Sequence, residues 1–455
     1  MQAHMKLYNT LSRDTEDFQP QDPKNVRMYV CGVTPYSSTH VGHALSYIVF
    51  DVLRRYLEYT GYVINHVQNF TDIDDKIIAK SKEEGITENN LTTRYINDFF
   101  ITMDALNVKR ATTYPRATEE IPDIIETISK LIDDGYAYAV GSDVYFRVNK
   151  SKDYGILSNR STDDMISGSR IDIDLNKESS MDFALWKGSK KDEPEWLSPW
   201  GPGRPGWHIE CTTMSTKYLG NQLDIHGGGM DLVFPHHENE IAQSEAYTSE
   251  KPFSKIWMHN GLLQFGQDKM SKSLGNLVSV ESALQKHSAD ALRLYLLSSH
   301  YRSPLNYSDE GCDAVERSLQ RLRFALQPSE GTEQNLDPSN FKNDFLSHMD
   351  HDLDTPQAIA IIFDLGREIN RAKESNMNVQ VAQSTLTEMG AILGLTFDTP
   401  EQSSLTQAAP FVDLLVEIRQ DLRESNQYEL ADKIRNVLAS HSISIEDTSE
   451  GTKWH

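Results

Sequence analysis

Residues 25–67 carry the pattern that most narrows the folds open to this chain. Val26, Met28, Tyr29 and Val30 make a short apolar run that ends at Cys31-Gly32. Such a run reads as a buried parallel strand entering a turn. Leu45, Ile48, Val49, Val52, Leu53, Tyr56 and Leu57 then recur at the spacing of one helix face over Val41–Tyr59, and Gly61 follows as a stop. Val63-Ile64-Asn65-His66-Val67 reads as a second strand. Strand, helix and strand in succession make a βαβ unit, the seed of a doubly wound, Rossmann-like α/β domain.

The rest of the chain divides by the same signals. Residues 91–106 and 121–134 read as helices, the latter stopped by Gly135, and 136–148 reads as a hairpin around Gly141-Ser142. Residues 151–205 are polar and punctuated by Gly and Pro, so 115–205 is expected to be an insertion into the α/β fold. The fold resumes near Gly206, with Leu223-Asp224-Ile225-His226 as a strand and a helix from His236. Residues 280–298 read as one helix. Beyond Ser308 the long segments are helical, at 309–326, 340–349, 356–372 and 382–393. Residues 398–406 read as a linker, followed by helices at 412–424 and 428–439 and a short tail. The expected divisions are therefore 1–114 with 206–307 as the α/β domain, 115–205 inserted, 308–396 an all-α bundle and 407–455 a small final domain.

Composition sets limits on function. A hydrophobic fraction of 38% and a mean hydropathy of -0.52 suit a globular protein with a real core. No apolar run reaches the roughly 18 residues of a membrane span, so no membrane partner is expected. Residues 1–10 lack an apolar signal segment, and Met5 is a second plausible start that would make 1–4 an extension. Three cysteines argue against a disulfide framework and for reduced thiols in a cytoplasmic protein. Cys312, in a polar helical stretch, reads as an ordinary residue. The net charge of -23 opposes binding to a polyanion unless basic residues cluster, and it predicts modest, salt-sensitive affinity for RNA.

Three islands carry chemistry. In His40-Val41-Gly42-His43 two imidazoles flank a glycine where a strand hands over to a helix. A helix N-terminus offers unpaired N–H groups to phosphate, and Gly42 lets a ligand approach the backbone. Lys269-Met270-Ser271-Lys272-Ser273 is a cationic segment suited to a pyrophosphate. Cys31, Cys211, His236 and Glu240 are donors of the kind zinc favours, and the last two share a helix face. Each island has a plainer reading from the residues alone. These are a loop with solvated histidines, an exposed basic turn, a buried apolar cysteine and a polar helix start.

The first two islands, in that order and far apart, resemble the paired signatures of class I aminoacyl-tRNA synthetases. Several segments are similar to the cysteinyl-tRNA synthetase family within that class. They are Tyr29-Val30-Cys31-Gly32-Val33-Thr34, Asn69-Phe70-Thr71-Asp72-Ile73-Asp74-Asp75-Lys76, Met181-Asp182-Phe183, Pro205 to Cys211, Asp224-Ile225-His226-Gly227-Gly228-Gly229, Phe234-Pro235-His236-His237-Glu238-Asn239-Glu240, Asp290-Ala291-Leu292-Arg293 and Gly451-Thr452-Lys453-Trp454. The resemblance implies one zinc ion per chain, held by Cys31, Cys211, His236 and Glu240. It implies catalytic His40, His43, Lys269 and Lys272, with Gly42, His40, His43 and Lys272 on ATP. Thr71, Trp207 and Asp231 would form the amino-acid pocket, with Thr34 and His208 around it.

The implied partners are L-cysteine, ATP with Mg²⁺, and tRNA(Cys), bound by a monomer. The 1–114/206–307 domain would be catalytic, 115–205 connective, 308–396 tRNA-binding and 407–455 anticodon-binding. Trp454 and Tyr428 would stack on bases, and Arg419, Arg423, Lys433, Arg435 and Lys453 would meet phosphates. Two rivals stand beside this reading. A ligase that passes cysteine to an amino-sugar lacks the anticodon end, and the long helical C-terminal part here disfavours it. An inactive paralogue is disfavoured by the intact His40, His43, Lys269 and Lys272.

Overall fold

Val26, Met28, Tyr29 and Val30 are all fully buried, because the strand Asn25–Val30 lies inside a four-stranded parallel sheet. In this computed structural model the spatial order is Ser254–Asn260, Leu223–Gly229, Asn25–Val30, Val63–Gln68. All three pairings are parallel. The helix Val41–Tyr59 crosses between the strands Asn25–Val30 and Val63–Gln68 and buries the face that carries Leu45, Ile48, Val52 and Leu57. The chain then returns to the opposite side of Asn25–Val30 to add Leu223–Gly229. Strand order therefore reverses between those two neighbours, and ligands of open α/β sheets bind at the carboxyl ends beside such a reversal. Cys31 and Gly229 stand at those ends.

The structure describes residues 5–161, 177–265, 268–269, 278–329, 331, 333–398, 402–425, 427–440, 443, 445–448 and 451–454. Between the second and third sheet strands, a four-stranded antiparallel sheet forms from Ala137–Val140, Asp143–Phe146, Phe183–Gly188 and Gly203–Pro205. The first two make a hairpin around Gly141-Ser142. Ile124, Ile128 and Leu131 of the helix Ile121–Asp133 pack with Val144, Phe146, Leu185 and Trp186 of this sheet. Ile209, Ala242 and Ala246 join the same cluster, so it supports the helices Trp207–Leu219 and Glu238–Thr248.

Several boundaries differ from expectation. Residues 280–298 form two helices, Val280–Leu284 and Ala289–Leu296. Ser288 starts the second by accepting from the Ala291 N–H, and the Glu316 carboxylate holds Ser288 in place. The helix expected from His236 begins at Glu238, after a kinked turn at Val233–His237. Helix Gln402–Glu424 starts inside the stretch read as linker. The expected tail is an antiparallel hairpin, Ile445–Thr448 with Gly451–Trp454, and a second unforeseen hairpin pairs Lys6–Asn9 with Asp14–Asp17.

The chain separates into Met1–Phe397 and Asp398–His455. In the first unit the helices Asp309–Leu326, Ser339–Asp350, Thr355–Glu374 and Gln380–Ile392 bury Leu322, Phe345, Ile362, Leu365 and Leu386. That cluster is continuous with the apolar face of Val41–Tyr59. The second unit holds the helices Gln402–Glu424 and Tyr428–Ser440, buries Val412, Val416, Ala431 and Leu438, and ties Trp454 Nε1 to Asp413 Oδ1 at 2.7 Å. Among the described residues no helix is long and apolar enough to cross a membrane.

Candidate active site and metal centre

The helix Val41–Tyr59 starts at His40, whose ring nitrogen Nδ1 accepts the N–H of His43 at 3.2 Å. That bond folds the two imidazoles together, stacked 3.6 Å apart. A methyl group at Gly42 would lie 3.0 Å from His40 Nδ1, so the glycine leaves that ring its place. Backbone bonds join this turn to the segment after the second signature. The Val41 N–H donates to Val278 O and the Val280 N–H to Thr39 O, both at 3.0 Å. On the other side Asp268–Lys269 pairs with Leu263–Phe265, so both ends of the lysine-bearing segment are set beside the sheet's carboxyl edge. Lys269 ends that strand, and Lys272 lies outside the described residues.

A cavity of about 340 Å³ opens here, lined by His40, Gly42 and His43 on one side and by Cys31, Trp207 and Asp231 on another. Thr34, Tyr36, Lys76 and Asn260 also line it. Thr71 is buried, its hydroxyl accepting from the Asn69 side-chain amide at 3.3 Å, and does not line this cavity.

The four candidate metal donors come from four elements. Cys31 follows the first sheet strand, Cys211 lies on Trp207–Leu219, His236 on the kinked turn, and Glu240 one helical turn later. All are buried, and their donor atoms lie within 4.8 Å of one another. The two sulfurs are 3.9 Å apart. Two sulfurs each about 2.3 Å from a tetrahedral zinc would be separated by about 3.8 Å. His236 Nε2 stands 3.0 Å from Glu240 Oε1, which in turn is 3.6 Å from Cys31 Sγ. The donor set and its spacing fit a zinc-sized ion.

Electrostatics agrees with cation binding. Burial alone would push Glu240 up, but the imidazoles of His226 and His236 outweigh it and hold the carboxyl at about 2. Burial raises Cys31, and its S–H pointing at Cys211 draws that second thiol below its usual value. Burial works against the charged form of His236, yet Glu240 and Cys211 raise it to about 10. A proton therefore sits among these acceptors where a metal would compete for the same lone pairs.

Metal-binding side chains need partners on their far sides, and the structure supplies them. His208 Nδ1 is 2.9 Å from His236 Nδ1, and burial keeps His208 neutral. His226 Nε2 is 2.8 Å from Glu240 Oε2, and His237 Nε2 is 3.3 Å from Cys31 Sγ. His259 Nε2 backs His237 Nδ1 at 2.7 Å and is itself held by Thr10. Trp207 stacks on His236 at 4.3 Å and carries this packing to the cavity wall. Cys31, His226, His237 and Glu240 form a second grouping within the same limits. The first is the better centre. It holds two sulfurs where the second grouping holds one. Sequence reasoning named His208 and missed His226, His237 and His259.

Comparison with known proteins adds a separate line. The family described as tRNA synthetases class I (C) catalytic domain matches residues 17–317, and the DALR domain matches 344–398. The cysteine–tRNA ligase of Dehalococcoides mccartyi strain 195 is 53% identical over 453 residues, 99% of both chains. The chain belongs to the cysteinyl-tRNA synthetase family. A cysteine–tRNA ligase of Carboxydothermus hydrogenoformans is 46% identical, again over 99% of each chain. Mycobacterium tuberculosis methionyl-tRNA synthetase in complex with methionyl-adenylate shares the fold, with a TM-score of 0.60 at 17% identity, over 86% of this chain and 94% of that one. The cysteinyl class I membership fits a cavity with a histidine pair at one wall and a sulfur-rich cluster at the other.

Proposed function

We propose that this protein joins L-cysteine to tRNA(Cys) in two steps, through a cysteinyl-adenylate. The cysteine carboxylate attacks the α-phosphate of ATP, and pyrophosphate leaves. The terminal ribose hydroxyl of the tRNA then attacks the activated carbonyl, and AMP leaves. No protein nucleophile is needed, so the side chains act by positioning and by charge.

The observation that carries this reading is one cavity walled by His40 and His43 on one side and by Cys31 and Trp207 on the other. A substrate there would place its phosphates at the helix N-terminus and its side chain toward the cysteines. His40 and His43 would donate to phosphate oxygens as charge develops, with Lys269 and Lys272 closing on the pyrophosphate and Mg²⁺ accompanying ATP. Trp207 would wall the small side chain. Asp231 would pair with the ammonium group, leaving the carboxylate to react, and Thr71 would support that pocket. Cys31, Cys211, His236 and Glu240 would hold zinc, which when bound favours a thiolate over the hydroxyl of serine. Such selection would spare the enzyme an editing site. Residues 308–396 would bear on the tRNA and 407–455 on its anticodon, with Trp454, Tyr428, Arg423, Lys433, Arg435 and Lys453 as contacts; Arg419, expected among them, is fully buried and does not meet a phosphate.

The test is ATP–pyrophosphate exchange with cysteine and with serine on one preparation assayed for zinc. Exchange with cysteine alone, at about one zinc per chain, is expected. Equal exchange with serine would refute metal-based selection. No exchange with either would point to an inactive paralogue.

A further inference from the structure

Residues 69–76 run along the loop that follows Cys31. The Gly32 N–H donates to Asn69 Oδ1 at 2.8 Å, and the Thr71 N–H donates to Val33 O at 3.2 Å. The acidic residues of this segment are spent on holding it. Asp72 accepts from the Thr118 N–H at 2.9 Å and from the Thr118 hydroxyl at 2.7 Å. Asp74 caps the helix Asp75–Glu84 by accepting the Lys76 N–H at 2.9 Å. Asp75 pairs with Lys187 at 3.0 Å and with Arg204, both on the inserted antiparallel sheet. Ile77 and Ile78 are buried just behind. The first turn of this helix is therefore fixed from several sides.

Lys76 stands on that turn. It is exposed, and it is the one lysine or arginine among the described residues lining the cavity. Its ammonium lies 5.6 Å from the centre of the Tyr36 ring, another part of the cavity wall. A cation on an aromatic face at an exposed site is weakly held, so it can exchange the ring for an anion at small cost. One turn along the same helix, Lys80 is occupied by Glu83 and Glu84.

The place of this cation decides what it can serve. In the proposed two-step reaction the phosphates of ATP lie at the His40 end of the cavity and the amino-acid side chain at the Cys31 end. The acyl carbonyl falls between them. Residues 69–76 are bonded to the loop just after Cys31, so Lys76 belongs to the amino-acid end. The group that arrives there in the second step, and is absent from the first, is the acyl acceptor. An RNA acceptor brings a phosphodiester on the same ribose that carries the attacking hydroxyl. A chain of net charge -23 repels such a group unless a cation stands beside its path. Lysine suits the task, as a point charge on a flexible stem.

We propose that Lys76 binds the terminal phosphodiester of the tRNA acceptor end, and so holds the ribose hydroxyl toward the acyl carbonyl, without taking part in adenylate formation. The proposal rests on the synthetase reading. Lys76 acts here by binding and transfers no proton.

The test uses the full, zinc-loaded chain with Lys76→Met, which keeps an unbranched stem and removes the charge, and with Lys76→Arg, which keeps the charge. Cysteine-dependent ATP–pyrophosphate exchange should stay within about twofold of wild type in both. Transfer is read separately, in a single turnover from preformed enzyme-bound cysteinyl-adenylate to full-length tRNA(Cys). The apparent second-order rate constant should fall about tenfold or more in Lys76→Met, equivalent to ~1.4 kcal/mol. Lys76→Arg should recover to within about threefold of wild type. The slope of log affinity for the tRNA against log salt should be shallower by about 0.7 in Lys76→Met, as one lost phosphate contact on a single strand requires. A merely structural role would leave that slope unchanged.

A fall in exchange would put the lysine on ATP or cysteine and overturn the proposal. Unchanged transfer by Lys76→Met would overturn it too, as would a loss that Lys76→Arg shares in full or an unaltered salt slope. Each of these leaves the synthetase reading standing. A wild-type chain that fails to charge tRNA(Cys) would instead overturn that reading and the proposal together.

Discussion

Replacing His226 by phenylalanine should weaken zinc binding by a predictable amount. The ring is fully buried, stacks on Trp257 at 4.4 Å and lies 5.2 Å from Tyr29. Its Nδ1 makes no hydrogen bond. A phenyl ring keeps those stacks and removes a buried nitrogen without a partner, so little stability is lost through packing. What disappears is the 2.8 Å bond to Glu240 Oε2. A hydrogen bond to a charged group contributes about 1.5–3 kcal/mol, which is roughly a 10- to 100-fold change in a dissociation constant. Outer partners of metal ligands fall in the same range. Competition against a chromophoric chelator at one pH near neutrality would measure it. Glu240 should also become easier to protonate, so zinc loss on acidification should begin at a higher pH in the variant. An unchanged affinity would refute the claim that His226 orients Glu240. A loss far beyond about 100-fold would refute it differently, by marking His226 as a ligand and placing the ion in the Cys31, His226, His237 and Glu240 grouping.

Three further outcomes can be checked. His236 titrates at about 10 in the metal-free fold, against 6.5 for an ordinary histidine. Its contribution alone is full below about 6.5 and lost as pH rises toward 10, but the neighbouring Cys211 thiol, lowered from 9 to about 6, acts in the opposite sense up to about 9, so the net loss falls between about 9 and 10. The Tm of chelator-treated protein should fall across that window while zinc-loaded protein stays flatter, and parallel profiles would contradict this. Gly32→Ala places a methyl group 1.5 Å from the backbone oxygen of Asn69. No rotamer relieves that clash, so the cost should exceed the ~1–3 kcal/mol of ordinary overpacking, read as lost Tm and lost zinc. Lys272→Ala should lower cysteine-dependent exchange by about 10²–10³, the usual loss for a group that stabilises developing charge, with zinc content unchanged. Full exchange in that variant would remove the lysine from the mechanism.

How much was legible depended on how local each signal was. The helix Val41–Tyr59 was readable to the residue, because its apolar spacing lies within it and Gly61 stands just past its end. The break between Leu284 and Ala289 was not. It needs Glu316, from a later helix, to fix Ser288 as a cap. The terminal hairpin escaped notice because its strands are mostly polar, and its pairing of Ile445 with Trp454 is visible only in register. Of the four candidate metal donors, spacing alone joined His236 to Glu240. Cys31 and Cys211 are 180 residues apart, so only family resemblance joined them to the others before the geometry did. His226 was hidden in a different way, since a strand buried on both faces gives no alternation by which to ask why one position is polar.

Residues 391–397, at the end of the first unit, are held by side chains of Arg55, Arg293, Asn107 and Asp290 that bond to their main-chain atoms. That hold has an evolutionary consequence. Ala391 and Thr396 are exposed, and Leu393, Leu395 and Phe397 are buried among apolar groups. The segment's own side chains can thus drift within broad chemical limits, Gly394 excepted. Asp290 and Asn107 have no such latitude there, because a backbone carbonyl or amide cannot mutate to meet a changed partner. Compensating pairs of substitutions are closed to them. Contacts of this kind should be invisible to any search for covarying positions, however strongly they constrain the protein.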